Sequence, residues 1–119
     1  QLAAKKIEQI ALVRAWCERD GALLLHRAPA KSRRLAGQHE LPDATTLGYT
    51  MATIDPAPVL AVRKRGITRY AITETIRQLP VPATLPDDCV WVPLAEIDSI
   101  TLSGPHRRWI GELLKIPRR

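Results

Sequence analysis

Asp20-Gly21-Ala22-Leu23-Leu24-Leu25-His26-Arg27 and, after a loop, Leu35-Ala36-Gly37-Gln38-His39-Glu40-Leu41-Pro42 decide how this chain is read. Asp-Gly tolerates positive φ at both centres of a two-residue turn, so Arg19-Asp20-Gly21 predicts a tight hairpin. Residues 22–27 then predict a buried strand. Upstream, residues 10–18 predict the partner strand, with Ala11, Val13, Ala15 and Cys17 on one face. Downstream, residues 29–34 form a loop carrying Lys31, Arg33 and Arg34 and no acid, and residues 35–42 a short strand closed by proline.

A chain of 119 residues supplies one core, with Leu, Ile, Val and three Trp to fill it because Phe is absent. A net charge of +6 favours polyanionic partners, nucleic acid before an anionic membrane. No apolar run approaches the roughly 18 residues of a membrane span, and residues 1–9 lack a signal-peptide pattern, so a cytoplasmic protein is expected. Cys17 and Cys89 stand outside any C-x-x-C spacing. A zinc or iron–sulfur site needs about four ligands, so both cysteines are read as small buried hydrophobes and no cofactor is expected in these residues.

Residues 43–58 contain Asp43 and Asp55 but neither Glu nor Arg, and their Thr and Pro content is unsuited to a long helix. From Val59 the pattern predicts two strands joined or kinked near Gly66, around the basic stretch Arg63-Lys64-Arg65-Gly66-Ile67-Thr68-Arg69. Tyr70, Ile72 and Glu74 fall on one face of the second strand, and Ala71, Thr73 and Thr75 on the other. Residues 80–88 read as a turn-rich loop. Residues 89–93 read as a short strand with Trp91 in the core, and residues 94–97 as one helical turn. Ser103 and Pro105 open a last helix that buries Trp109, Ile110, Leu113 and Leu114 and turns Arg107, Arg108 and Lys115 outward. His106 is read as a surface or capping residue.

Three of these segments, in order, resemble the C-terminal Nudix-like domain of the A/G-specific adenine DNA glycosylase (MutY) family. They are Asp20-Gly21 with the apolar run to Arg27 and Leu35-Ala36-Gly37…Glu40…Pro42, then Ile67-Thr68-Arg69, and last Leu102-Ser103 with Pro105-His106-Arg107-Arg108. Two positions depart from the family: His39 replaces its usual Trp, and Arg69 replaces a His. The resemblance implies an α+β fold: a Nudix-like mixed β-sheet with a C-terminal helix, the central Nudix helix degenerate or missing. Residues 1–9 would end an interdomain linker, residues 10–116 form the domain, and residues 117–119 a tail.

The resemblance also implies a function. Catalytic Nudix domains place several carboxylates on one helix to hold Mg²⁺ against a pyrophosphate, and residues 43–58 cannot supply that cluster. The implied role is lesion recognition in base excision repair: binding duplex DNA that contains an 8-oxoguanine:adenine mispair. The family's glycosylase chemistry and its iron–sulfur cluster reside in a separate N-terminal catalytic domain, the other expected partner, so the chain would be a non-catalytic, monomeric part of a longer protein. Thr68 takes the place of the hydroxyl residue that contacts the lesion, flanked by Ile67 and Arg69. Arg63, Lys64, Arg65, Lys31, Arg33 and Arg34 are the cations expected at the DNA backbone. Two other classes stay open. One is a free-standing Nudix pyrophosphohydrolase using Glu40, Asp43 and Glu74 as metal ligands; the other is a Nudix-fold protein-interaction module.

Overall fold

The computed structural model describes residues 6–29 and 37–115. Seven strands, two helices and a 3₁₀ segment follow in the order β1 (Glu8–Trp16), β2 (Glu18–Arg19), β3 (Ala22–Arg27), β4 (His39–Glu40), α1 (Met51–Ile54), β5 (Val59–Ile67), β6 (Tyr70–Gln78), β7 (Cys89–Pro93), the 3₁₀ segment (Leu94–Ser99) and α2 (Gly104–Leu114). They build two sheets. In the first, β6 lies between β1, which it meets in parallel, and β5, which it meets antiparallel. In the second, β7 pairs with β3 along Ala22 to His26, so β2 and β4 share the opposite edge of β3 at its two ends. This is an α+β architecture with a C-terminal helix, as expected.

The leucine run explains how the layers hold together. Leu23 and Leu25 point into one cluster with Trp16, Leu41, Ile76, Val92, Trp109, Ile110 and Leu113, roofed by α2. Leu24 points the other way, into a second cluster with Ala15, Cys17, Ala44, Leu47, Ile54 and Leu79. A strand covered on both faces is apolar at successive positions rather than alternating ones. Burying one such leucine side chain stabilises the fold by roughly 2 kcal/mol. The Asp20-Gly21 turn forms as read, with φ of 53° and 76°.

Several local expectations change. The strand expected over residues 10–18 begins earlier, at Glu8, and breaks at Cys17. There the chain leaves β6 and crosses to β3, and the Cys17 carbonyl accepts from Leu24 N at 3.0 Å. Of residues 35–42, His39 and Glu40 form strand, while Leu35 and Ala36 lie outside the described residues. Residues 43–58 hold a helix of four residues, and its Ile54 seals the second cluster. Trp91 packs against the second cluster as expected but is only half-buried, its ring lying 4.5 Å beneath the Arg19 guanidinium. Cys89 is likewise half-buried, whereas Cys17 is buried. Ser103 occupies the N-cap of α2 with extended backbone, but its hydroxyl makes no capping bond. Among the described residues, no helix is long and apolar enough to cross a membrane.

Candidate nucleic-acid interface

The join between β5 and β6 lies at Thr68-Arg69, two residues beyond the expected Gly66. Ile67 pairs with Tyr70, so the two strands meet in a two-residue turn. Thr68 sits there with φ of 53°, in the left-handed region that a β-branched side chain rarely adopts. Ile67 is 45% exposed. The Arg69 guanidinium lies 5.6 Å from the Tyr70 ring, and its carbonyl accepts from Glu8 N at 2.9 Å. The tip thus presents an apolar side chain, a hydroxyl and a cation, fastened at its base to β1.

The neighbouring basic run divides between two faces. Lys64 is exposed and has no partner among the described residues. Arg63 donates to the Val62 carbonyl at 3.1 Å and reaches Glu112 of α2 at 3.4 Å. Arg65 turns inward and donates its Nε to Glu74 Oε2 at 2.8 Å. The sequence reading placed Arg65 with the backbone-contacting cations; alternation along β5 instead gives it the same face as Arg63 and the buried Glu74. Lys31, Arg33 and Arg34 lie outside the described residues.

Behind the hairpin lies a buried charge network that sequence reading missed. Glu74 and His106 are both 0% exposed. Arg14 donates Nε to Glu74 Oε1 at 2.7 Å and Nη1 to the Leu41 carbonyl at 3.0 Å. Leu41 N donates to His106 Nδ1 at 3.0 Å. That bond makes Nδ1 an acceptor, so the ring proton sits on Nε2, which faces Glu74 Oε1 at 3.5 Å and Glu40 Oε2 at 3.9 Å. Burial pushes the Glu74 carboxyl up, but the His106 N–H and the Arg14 guanidinium outweigh it and bring the pKa down to about 2. His106 is therefore a core residue, correcting the surface reading. The available signal was a charge within each of two strand-forming runs, Arg14 between Val13 and Ala15 and Glu74 between the β-branched Thr73 and Thr75. Only the register shows that they meet.

The carboxylates needed by a hydrolase are dispersed. Glu74 is held by two arginines, and Asp43 Oδ1 accepts from Thr45 N and Oγ1 at 2.9 and 2.7 Å. Glu40 and Asp43 do line a common cavity of about 170 Å³ with Arg14, His26 and Asp88, where His26 Nε2 stands 3.0 Å from Asp88 Oδ2. No three His, Cys, Asp or Glu side chains among the described residues are grouped to hold a metal ion.

No protein-family model matches the sequence, and no curated protein matches it. Solved structures do. The MutT protein from Methanosarcina mazei Go1 is 20% identical with a TM-score of 0.70, covering 98% of this chain and 100% of that one. A NUDIX hydrolase from Nitrosomonas europaea is 10% identical with a TM-score of 0.62, covering 91% and 90%. The chain has a Nudix-like fold. The C-terminal domain of mouse MUTYH, solved in complex with human PCNA, shares it at 17% identity and a TM-score of 0.51, covering 92% of this chain and 88% of that domain. A MutT protein, a NUDIX hydrolase and the MUTYH C-terminal domain are thus among the structures that share the fold.

Proposed function

We propose that this Nudix-like domain binds duplex DNA through the β5–β6 hairpin and recognises 8-oxoguanine opposite adenine, as the C-terminal part of an adenine glycosylase. The observation that carries the reading is Thr68, a β-branched residue held at φ 53° on the hairpin tip between exposed Ile67 and Arg69. Glycine would occupy that backbone without strain, and a strained side chain at an exposed tip points to a use for the side chain itself. The Thr68 hydroxyl reads the altered edge of the oxidised base, and Ile67 wedges beside it. Arg69 and Lys64 neutralise phosphates, together with Lys31, Arg33 and Arg34, which lie outside the described residues. Arg63 bridges to α2, and Arg65 braces the hairpin through Glu74. Base excision itself belongs to the catalytic domain, which carries the iron–sulfur cluster.

The fold shared with the MUTYH C-terminal domain supports this assignment, as do the three ordered sequence segments. The hydrolase alternative is weakened by the engagement of Glu74 with two arginines and by a single-turn helix where a carboxylate-bearing one is needed.

Fluorescence titration with duplexes carrying 8-oxoguanine:adenine, guanine:adenine or thymine:adenine, at low and high salt, tests the reading. Tighter binding to the oxidised duplex that weakens with salt is the expected result. Equal affinity for all three duplexes would remove lesion recognition from this domain. Metal-dependent release of pyrophosphate from a nucleotide would replace the proposal with the hydrolase.

A further inference from the structure

The backbone of β5 is paired on one side only. It runs nine residues, Val59–Ile67, at the edge of the first sheet. Among the described residues, no other strand or loop donates to its outer side or accepts from it. A long open edge normally recruits another strand, and proteins blunt it with charge, proline or brevity. Here the edge is long, free of proline and decorated with apolar side chains. Val59 is 49% exposed and Val62 47% exposed, with Ile67 at the far end.

Its charge decides what can join it. Arg63, Lys64 and Arg65 are consecutive, and no acid lies within the strand. Antiparallel pairing with a second copy, centred on this run, would set these cations against one another, and like charges directly opposite are destabilising. An acidic strand reverses that sign, above all at Lys64, since Arg63 and Arg65 already reach Glu112 and Glu74. We infer that the β5 edge is a docking site for an extended, acidic protein segment, which adds a strand to the sheet by backbone pairing and seats apolar side chains against Val59 and Val62. The inference does not depend on lesion recognition: it rests on the open backbone edge of β5, and the two readings share only Lys64, which the DNA reading sets against a phosphate.

The probe is a fluorescein-labelled peptide of nine residues, the length of β5, with Val at the two positions that oppose Val59 and Val62 and Glu at the others. It is titrated into the 119-residue chain beside two controls: the same peptide with proline at its centre, and the same peptide with Lys in place of Glu. Binding of the Val–Glu peptide is expected, at least ~10-fold tighter than either control, because proline removes a ladder donor and lysine restores like-charge contact. Amide hydrogen exchange should show new protection confined to the outer side of Val59–Ile67. The double variant Val62→Glu/Lys64→Glu should weaken binding ~10-fold or more while retaining the parent circular dichroism, since both side chains are exposed and unpaired. Equal binding of the proline peptide would reduce the effect to bulk charge and overturn the proposal. So would protection outside β5, or no binding of the Val–Glu peptide. A short duplex that protected the same β5 amides more strongly than the peptide would assign the edge to nucleic acid instead.

Discussion

Arg65 meets Glu74 on the diagonal of the β5–β6 pair: the register sets Glu74 opposite Arg63, yet Arg65 Nε lies 2.8 Å from its carboxylate. Arg63 turns towards Glu112 of α2 instead. One acidic residue therefore anchors a basic hairpin from within, and Arg14 holds the same carboxylate from β1. The strand that presents cations to solvent is braced by a cation turned inward.

Removing that anchor should be severe. Glu74→Ala leaves Arg14, which is 9% exposed, without its carboxylate partner. Losing one partner of a buried pair costs about 3–5 kcal/mol. Urea denaturation should show a midpoint far below that of the parent chain, while Lys64→Ala, at an exposed unpaired position, should stay within about 0.5 kcal/mol of it.

The same carboxylate sets a pH dependence. Its folded pKa is depressed from 4.5 to about 2, so its contribution is complete above pH 4.5 and lost as pH falls through 2. Below pH 2 both folded and unfolded states carry the protonated acid and the difference vanishes. Between those limits one such group steepens the fall in stability by up to about 1.4 kcal/mol per pH unit. Denaturant midpoints measured from pH 5 to pH 2 should therefore drop more steeply for the parent chain than for Glu74→Gln. Parallel slopes would show that Glu74 is not depressed.

Thr68→Gly should separate stability from recognition. Relieving a left-handed β-branched residue is worth roughly 1 kcal/mol, so the midpoint should rise. Discrimination between the 8-oxoguanine and guanine duplexes should fall, because the hydroxyl is gone. A variant that gained stability and kept its preference would remove Thr68 from the lesion contact.

Lys64 and Arg65, adjacent in sequence, should differ in their effect on DNA binding. Losing a phosphate contact lowers the slope of log K against log salt by about one. Lys64→Ala should show that reduction at unchanged stability. Arg65→Ala should leave the salt slope near the parent value and lower the unfolding midpoint, because its Nε is bonded to Glu74.

His106→Leu tests the tautomer-fixing bond. Leucine fills much of the space but leaves the buried Leu41 N–H without its acceptor, at a cost of about 1–3 kcal/mol. Hydrogen exchange at Leu41 should accelerate in the variant, and a protected Leu41 amide would show that another acceptor has replaced Nδ1.

Much of this was legible in one dimension. Asp20-Gly21 specifies its turn because the φ values it must adopt suit those two residues in any context. The leucine run announced a buried strand, and Ser103 to Leu114 announced a helix with one apolar face. These are local properties, set by backbone sterics and by the periodicity of side chains along their own element. The Glu-free stretch between Asp43 and Pro58 likewise showed that no carboxylate-bearing helix could form there.

What the tertiary structure decided was partnership. Sequence marked Arg63, Lys64 and Arg65 as three equivalent cations; strand alternation and the β5–β6 register left Lys64 free and gave Arg65 to Glu74. It marked His106 as a surface residue because a histidine in the first turn of a helix usually caps or faces water. The packing of α2 over the first core cluster instead buried it against the Leu41 N–H and Glu74. Arg14 and Glu74 lie sixty positions apart, and the distance between them is fixed only when β1 and β6 align in parallel. Charge and shape are written residue by residue, but which charges meet depends on long-range register, which no local pattern encodes.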